Sequence, residues 1–132
     1  MRSTNPPRLA TLLLQVFAVD DPIAGDGGMP MTAANELVLG SAAGMAQAVR
    51  SGDASATALA QASLARIAAT DERVNAFTAV TRERALARAA AIDNALAEGD
   101  AALRESPLLG VPFAVKNLFD IAGLPTLAGS KI

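Results

Sequence analysis

The residue best placed to do chemistry is Lys116, which follows the apolar run Val111-Pro112-Phe113-Ala114-Val115. A lysine at the carboxyl end of a buried strand is partly desolvated. Desolvation penalises the ammonium form, lowers the pKa and makes the neutral amine available as a base near pH 7. The ends of strands in α/β proteins are also where ligand sites tend to form. On spacing alone, the commoner reading is an ordinary strand-end lysine reaching for solvent.

Other chemistries find little support. The chain has no cysteine and no histidine, which removes disulfide scaffolds, thiolate nucleophiles, His–Cys zinc sites and a Ser-His-Asp triad built within it. No metal or cofactor is expected. A net charge of −2 with both signs interspersed offers no basic surface to a phosphate backbone, so no nucleic-acid partner is expected. No apolar run approaches the roughly 18–20 residues of a membrane span. Residues 9–19, LATLLLQVFAV after Arg2 and Arg8, have the length of a signal-peptide core. Asp20-Asp21-Pro22 makes a poor cleavage site, however, and a cytoplasmic location is the expectation.

The elements that must position Lys116 are mostly helical. At 132 residues the chain suits one domain. Its 52 % hydrophobic content is largely alanine, with only 3 % aromatic residues, so a core made by this segment alone is thin. Residues 41–50 place Ala42, Met45, Ala46 and Val49 on one helix face, with Ser41 as N-cap and Gly52 as stop. A second helix is expected to start after Ser55 and end near Thr70, with Ala60, Leu64, Ile67 and Ala68 on one face. A third is expected over 82–98, with Ala85, Ala89, Ile92 and Leu96 inward, Arg84, Arg88 and Glu98 outward, and Gly99 closing it. The spacing then predicts a buried strand over 111–115, with Pro112 at its beginning or edge. A second short apolar piece follows over 118–122, and Gly123 and Pro125 mark turns.

The run PLLGVPFAVKNLFDIAGLPTLAGS, residues 107–130, resembles the N-terminal block of the amidase-signature family. It shares Pro107-Leu108, Gly110, Val111-Pro112, Val115-Lys116, Gly123, Thr126 and Gly129-Ser130 with that pattern. Ala46-Gln47-Ala48-Val49-Arg50-Ser51-Gly52, Ser55 and Val74-Asn75-Ala76-Phe77 resemble the family's leading helices, so the likeness reaches from about residue 42 to 132. One departure is Asn117, where the family commonly has Asp. An aspartate would favour the charged ammonium, so Asn117 is expected to help keep Lys116 neutral if the side chains are close. A plain turn residue is the other reading. Within the family, Lys-Asn-Leu-Phe-Asp with Gly-Ser-Lys-Ile looks most like the biuret-type amidohydrolases, and the glutamyl-tRNA amidotransferase A-type polypeptide shares the same core.

The resemblance implies an α/β/α fold, a large mixed sheet with helices on both faces, of which this segment supplies the leading helices and first strand or two. It also implies a Ser–cis-Ser–Lys triad that cleaves a C–N amide bond, with Lys116 as its base and a small amide or urea-type substrate. None of Ser41, Ser51, Ser55, Ser63, Ser106 and Ser130 stands at a position matching the family's serines. A fragment inert on its own is therefore expected, with a non-catalytic partner-binding module as the alternative. A homo-oligomer or a complex with a small accessory subunit is the expected assembly. Residues 1–31, rich in Pro, Gly and Asp, are expected to be a disordered or mis-called extension, and 32–132 the truncated N-terminal part of the amidase domain. Deleting the chain up to Pro30 is then expected to change stability by less than about 1 kcal/mol in a denaturant melt.

Overall fold

A computed structural model of the chain describes residues 12–14 and 31–129. Its elements are β1 (Leu12–Leu14), α1 (Met31–Leu37), α2 (Ala42–Ser51), α3 (Ala56–Val74), α4 (Arg82–Ala97), α5 (Ala101–Arg104) and β2 (Ala114–Lys116). Helix α3 is central and packs against α1 and α4, while α5 lies against α4. The described residues are thus mostly helical, and the strands among them form one antiparallel pair, with Leu12 opposite Lys116 and Leu14 opposite Ala114. Of the extension expected over 1–31, only Leu12–Leu14 and Met31 are described; the former pair with β2 and the latter opens α1. The rest of that segment, including most of the signal-like run 9–19, lies outside the described residues.

Local chemistry sets the helix ends. The Ser41 hydroxyl accepts from Gly44 N–H at 3.0 Å, and Gly52, at φ 84°, ends α2 in the left-handed conformation that glycine adopts without strain. Ser55 caps α3 by accepting from Ala58 N–H at 3.0 Å. Helix α3 runs past its expected end at Thr70, to Val74. Two groups account for the difference. Asn75 takes the left-handed cap position at φ 51°, which asparagine tolerates better than most residues. Asp71 then folds the chain back, its Oδ1 accepting from Ala76 N–H at 2.6 Å and Phe77 N–H at 3.3 Å. Helix α4 matches its expected span closely.

The core is built from small side chains. Leu59, Leu64 and Leu109 are the large residues buried completely. Leu59 and Leu109 pack with Ala48, Val49 and Ala54, while Leu64 and Ile67 pack with Phe77 and Leu86. Ala56, Ala60 and Ala89, with Leu86 and Ile92 packed against them, form a further contact between α3 and α4. Two residues of the expected inward faces, Ala42 and Ala68, are exposed. Gly110 lies in the closest approach. A Cβ added there would stand 3.0 Å from Ala56 Cβ and 3.1 Å from both Val49 methyls, at φ +67°, so space and backbone both demand glycine.

The strand expected over 111–115 is displaced to Ala114–Lys116. Pro112 has no N–H to give, and Val111 N–H is spent on Leu108 O at 3.2 Å in a turn. The ladder therefore starts later, and Lys116 belongs to the strand instead of following it. The apolar piece 118–122 forms turns.

The α3–α4 pair is fastened by Asp93. Its carboxylate accepts from Ala56 N–H at 2.8 Å, Thr57 N–H at 3.0 Å and the Thr57 hydroxyl at 2.6 Å. The two N–H groups are orphan donors of a helix N-terminus, met by a side chain from another helix. Asp93→Ala is expected to cost about 1–3 kcal/mol, the range for stranding part-buried donors, measured by denaturant unfolding. A loss below about 0.5 kcal/mol, the scale of ordinary surface changes, would contradict this role.

Candidate active-site strand end

Lys116 closes β2, and the backbone there is held firmly. Its carbonyl accepts from Leu118 N–H at 2.7 Å and Phe119 N–H at 3.2 Å, so the chain turns sharply just past the lysine. Its side chain is exposed, contrary to the partial desolvation expected at a buried strand end. The reason is that, among the described residues, β2 has a neighbour on one side only and nothing covers this end. Apolar side chains flanking the lysine in sequence are exposed with it, Phe113 at 73 % and Phe119 at 65 %.

Asn117 is a turn residue, the second of the two readings. It is buried, only 8 % exposed, and its side chain is engaged away from the lysine. Its Nδ2 donates to Thr78 Oγ1 at 2.9 Å, and its Oδ1 accepts from Leu127 N–H at 2.9 Å. Its backbone carbonyl accepts from Ala128 N–H, also at 2.9 Å. Asn117 thus ties the strand end to the α3–α4 connection and to the returning segment at 127–128. That return is fixed further by Thr126 Oγ1 donating to Asp120 Oδ1 at 2.7 Å, and Arg84 Nη2 donates to Ala122 O at 2.7 Å from α4.

No serine among the described residues is hydrogen-bonded to the Lys116 amine. Ser41 and Ser55 cap helices, and the single proton of the Ser51 hydroxyl has Gln47 O, Ala48 O and Asp53 Oδ2 within hydrogen-bond distance, the carboxylate nearest at 2.6 Å. Ser130 lies outside the described residues. A cavity of about 440 Å³ opens between α3, α4 and the segment 103–113, lined mainly by alanine and leucine, with Arg88 and Ser106 as its polar side chains; Lys116 is not in its wall. Among the described residues no cluster of acidic side chains could hold a metal ion, and no helix is long and apolar enough to cross a membrane.

Sequence reasoning passed over Asp93 and Thr78. Asp93 carried a usable signal, since it sits beside Ile92 and four residues after Ala89, on the inward side of α4. Thr78 carried none, because its partner is 39 residues away.

The Amidase family model matches residues 58–132. The chain belongs to the amidase family, and the resemblance read from residues 107–130 is borne out. It is 52 % identical over 86 residues to the AtzE polypeptide of 1-carboxybiuret hydrolase from Pseudomonas sp. (strain ADP), a match covering 65 % of this chain and 18 % of that protein. It is 50 % identical over 99 residues to the A-type polypeptide of glutamyl-tRNA(Gln) amidotransferase from Paenarthrobacter aurescens, covering 74 % and 19 %. The Streptomyces coelicolor counterpart of that polypeptide is 43 % identical over 98 residues, again covering 74 % and 19 %. The chain therefore spans about a fifth of the length of these curated relatives. No solved structure matches it.

Because the Lys116 side chain is exposed, Lys116→Ala is expected to leave the unfolding free energy within about 0.5 kcal/mol of the parent. Thermal and urea melts of the two chains check this. A larger loss would mean that the lysine supports the fold, and activity effects would then need correcting for it.

Proposed function

We propose that this chain supplies the lysine base of an amidase that hydrolyses a C–N amide bond of a small amide or urea-type substrate through a Ser–cis-Ser–Lys triad. The observation that carries the reading is the position of Lys116, at the end of β2 inside the stretch matched by the family. In this mechanism the neutral Lys116 amine draws a proton from the bridging serine. That serine deprotonates the nucleophilic one, which attacks the amide carbonyl. The amine leaves, and water hydrolyses the acyl-enzyme. Backbone N–H groups stabilise the oxyanion. Arginine could not replace the lysine, since its guanidinium is permanently charged.

The two serines are contributed by residues outside this sequence, and the chain alone is inert. The parent architecture is α/β/α. In it further strands continue the sheet from β2, and the surface around Phe113 and Phe119 is covered. That cover excludes water from around Lys116. The biuret-type relatives are favoured as a guide to substrate by the 52 % identity to the carboxybiuret hydrolase polypeptide.

The test exchanges the 86 matched residues into the Pseudomonas sp. hydrolase and follows amide and urea-derivative hydrolysis. The exchanged enzyme is expected to turn over, and Lys116→Ala in it to lower the rate by roughly 10²–10⁴-fold, the loss associated with removing a general base. The unfused chain is expected to show no turnover. An inactive exchange, an undiminished rate in Lys116→Ala, or activity of the purified chain by itself would each overturn the proposal.

A further inference from the structure

Among the described residues, Asn117 is the one polar residue that is buried. An amide is expensive to bury unless hydrogen bonds replace its water, and here they do. The partners come from two distant places, Thr78 between α3 and α4 and Leu127 in the return of the chain. Next to it, the Lys116 carbonyl holds the Leu118 and Phe119 N–H groups. Asn117 opens the turn that follows β2 and is buried, while the Lys116 side chain is exposed, and the bonds at 116 and 117 fix the strand end between them.

Resting on the reading of Lys116 as the base, we propose that Asn117 is a positioning residue for it, clamping the strand end so that the amine emerges at one place and in one direction. Asn117 acts through the backbone and touches no reacting atom. Proton transfer needs close, aligned groups, and a displacement of about 1 Å can cost about 10²-fold in rate. The clamp also defines what position 117 accepts. An aspartate offers the same acceptor to Leu127 N–H and can take a hydrogen bond from the Thr78 hydroxyl, which serves as donor or acceptor. A leucine of similar volume can do neither.

The test measures amide hydrogen exchange by NMR in the full chain for the parent, Asn117→Asp, Asn117→Leu and Thr78→Val. In Asn117→Leu, protection is expected to fall roughly tenfold or more, the scale of one lost buried hydrogen bond. The loss is expected at Leu118 and Phe119 as well as at Leu127, with Asn117→Asp keeping it. If Asn117→Leu fails to fold by circular dichroism, Thr78→Val, which breaks the Nδ2 bond alone, is read instead and is expected to lose protection at the same amides. Protection lost at Leu127 but kept at Leu118 and Phe119 would overturn the clamp. In the exchanged enzyme, Asn117→Leu is expected to lower kcat by about 10²-fold at unchanged KM, and Asn117→Asp to restore it. Equal losses in the two variants would overturn the positioning role. An exchanged enzyme indifferent to Lys116→Ala would instead overturn the assignment of the base and leave the exchange result standing.

Discussion

The Asp93 carboxylate fastens α3 to α4 by directed bonds. It receives both backbone N–H groups of Ala56 and Thr57 and the Thr57 hydroxyl, and so fixes where α3 begins relative to α4. The contact beneath it has Ala56, Ala60 and Ala89 at its centre, with Leu86 and Ile92 packed against them. Alanine surfaces bury little area and interlock weakly, so they specify register poorly. A directional, charge-assisted set of bonds supplies what the packing cannot. With α3 placed, Gly110 can pass within contact of Ala56 and Val49. Leu109 then enters the core beside Leu59, and the chain is aimed toward β2.

The strand end inherits its order from this arrangement by a second polar group. Thr78 follows α3 in the connection to α4, so the place where it meets Asn117 depends on how those two helices are set. Arg84, from the first turn of α4, reaches Ala122 O and holds the far side of the same turn. The segment carrying Lys116 is thereby pinned from the helical layer at two points, although it belongs to the sheet. The lysine side chain takes no part in these bonds.

Much of the helical layer was legible in the sequence. Ser41, Gly52 and Ser55 mark helix ends through bonds to near neighbours in the chain, and local bonds leave local signatures. The extension of α3 to Val74 was missed because Asp71 and Asn75 act together, the one refolding the chain and the other accepting the left-handed turn. The position of β2 was misjudged by its apolar pattern, since hydrogen-bonding capacity decided it: Pro112 cannot pair and Val111 is already spent. The family motif singled out Lys116 but said nothing of Asn117's burial. Its partners, Thr78 and Leu127, are brought to it by the fold. The Lys116 environment was misread because burial of a strand depends on neighbours that a single segment does not contain.

The small size of the buried side chains reaches beyond geometry. Among the described residues, eight of the thirteen buried apolar ones are alanine, so melting this segment uncovers little hydrocarbon to water. Heat-capacity change follows newly hydrated apolar area, at about +0.45 cal/K/mol per Å². Its value here is expected to fall below the usual ~12–15 cal/mol/K per residue. A shallow heat-capacity term flattens the curve of free energy against temperature. The helices therefore gain and lose stability gradually across a broad thermal range, with no pronounced optimum and with cold destabilisation correspondingly slight.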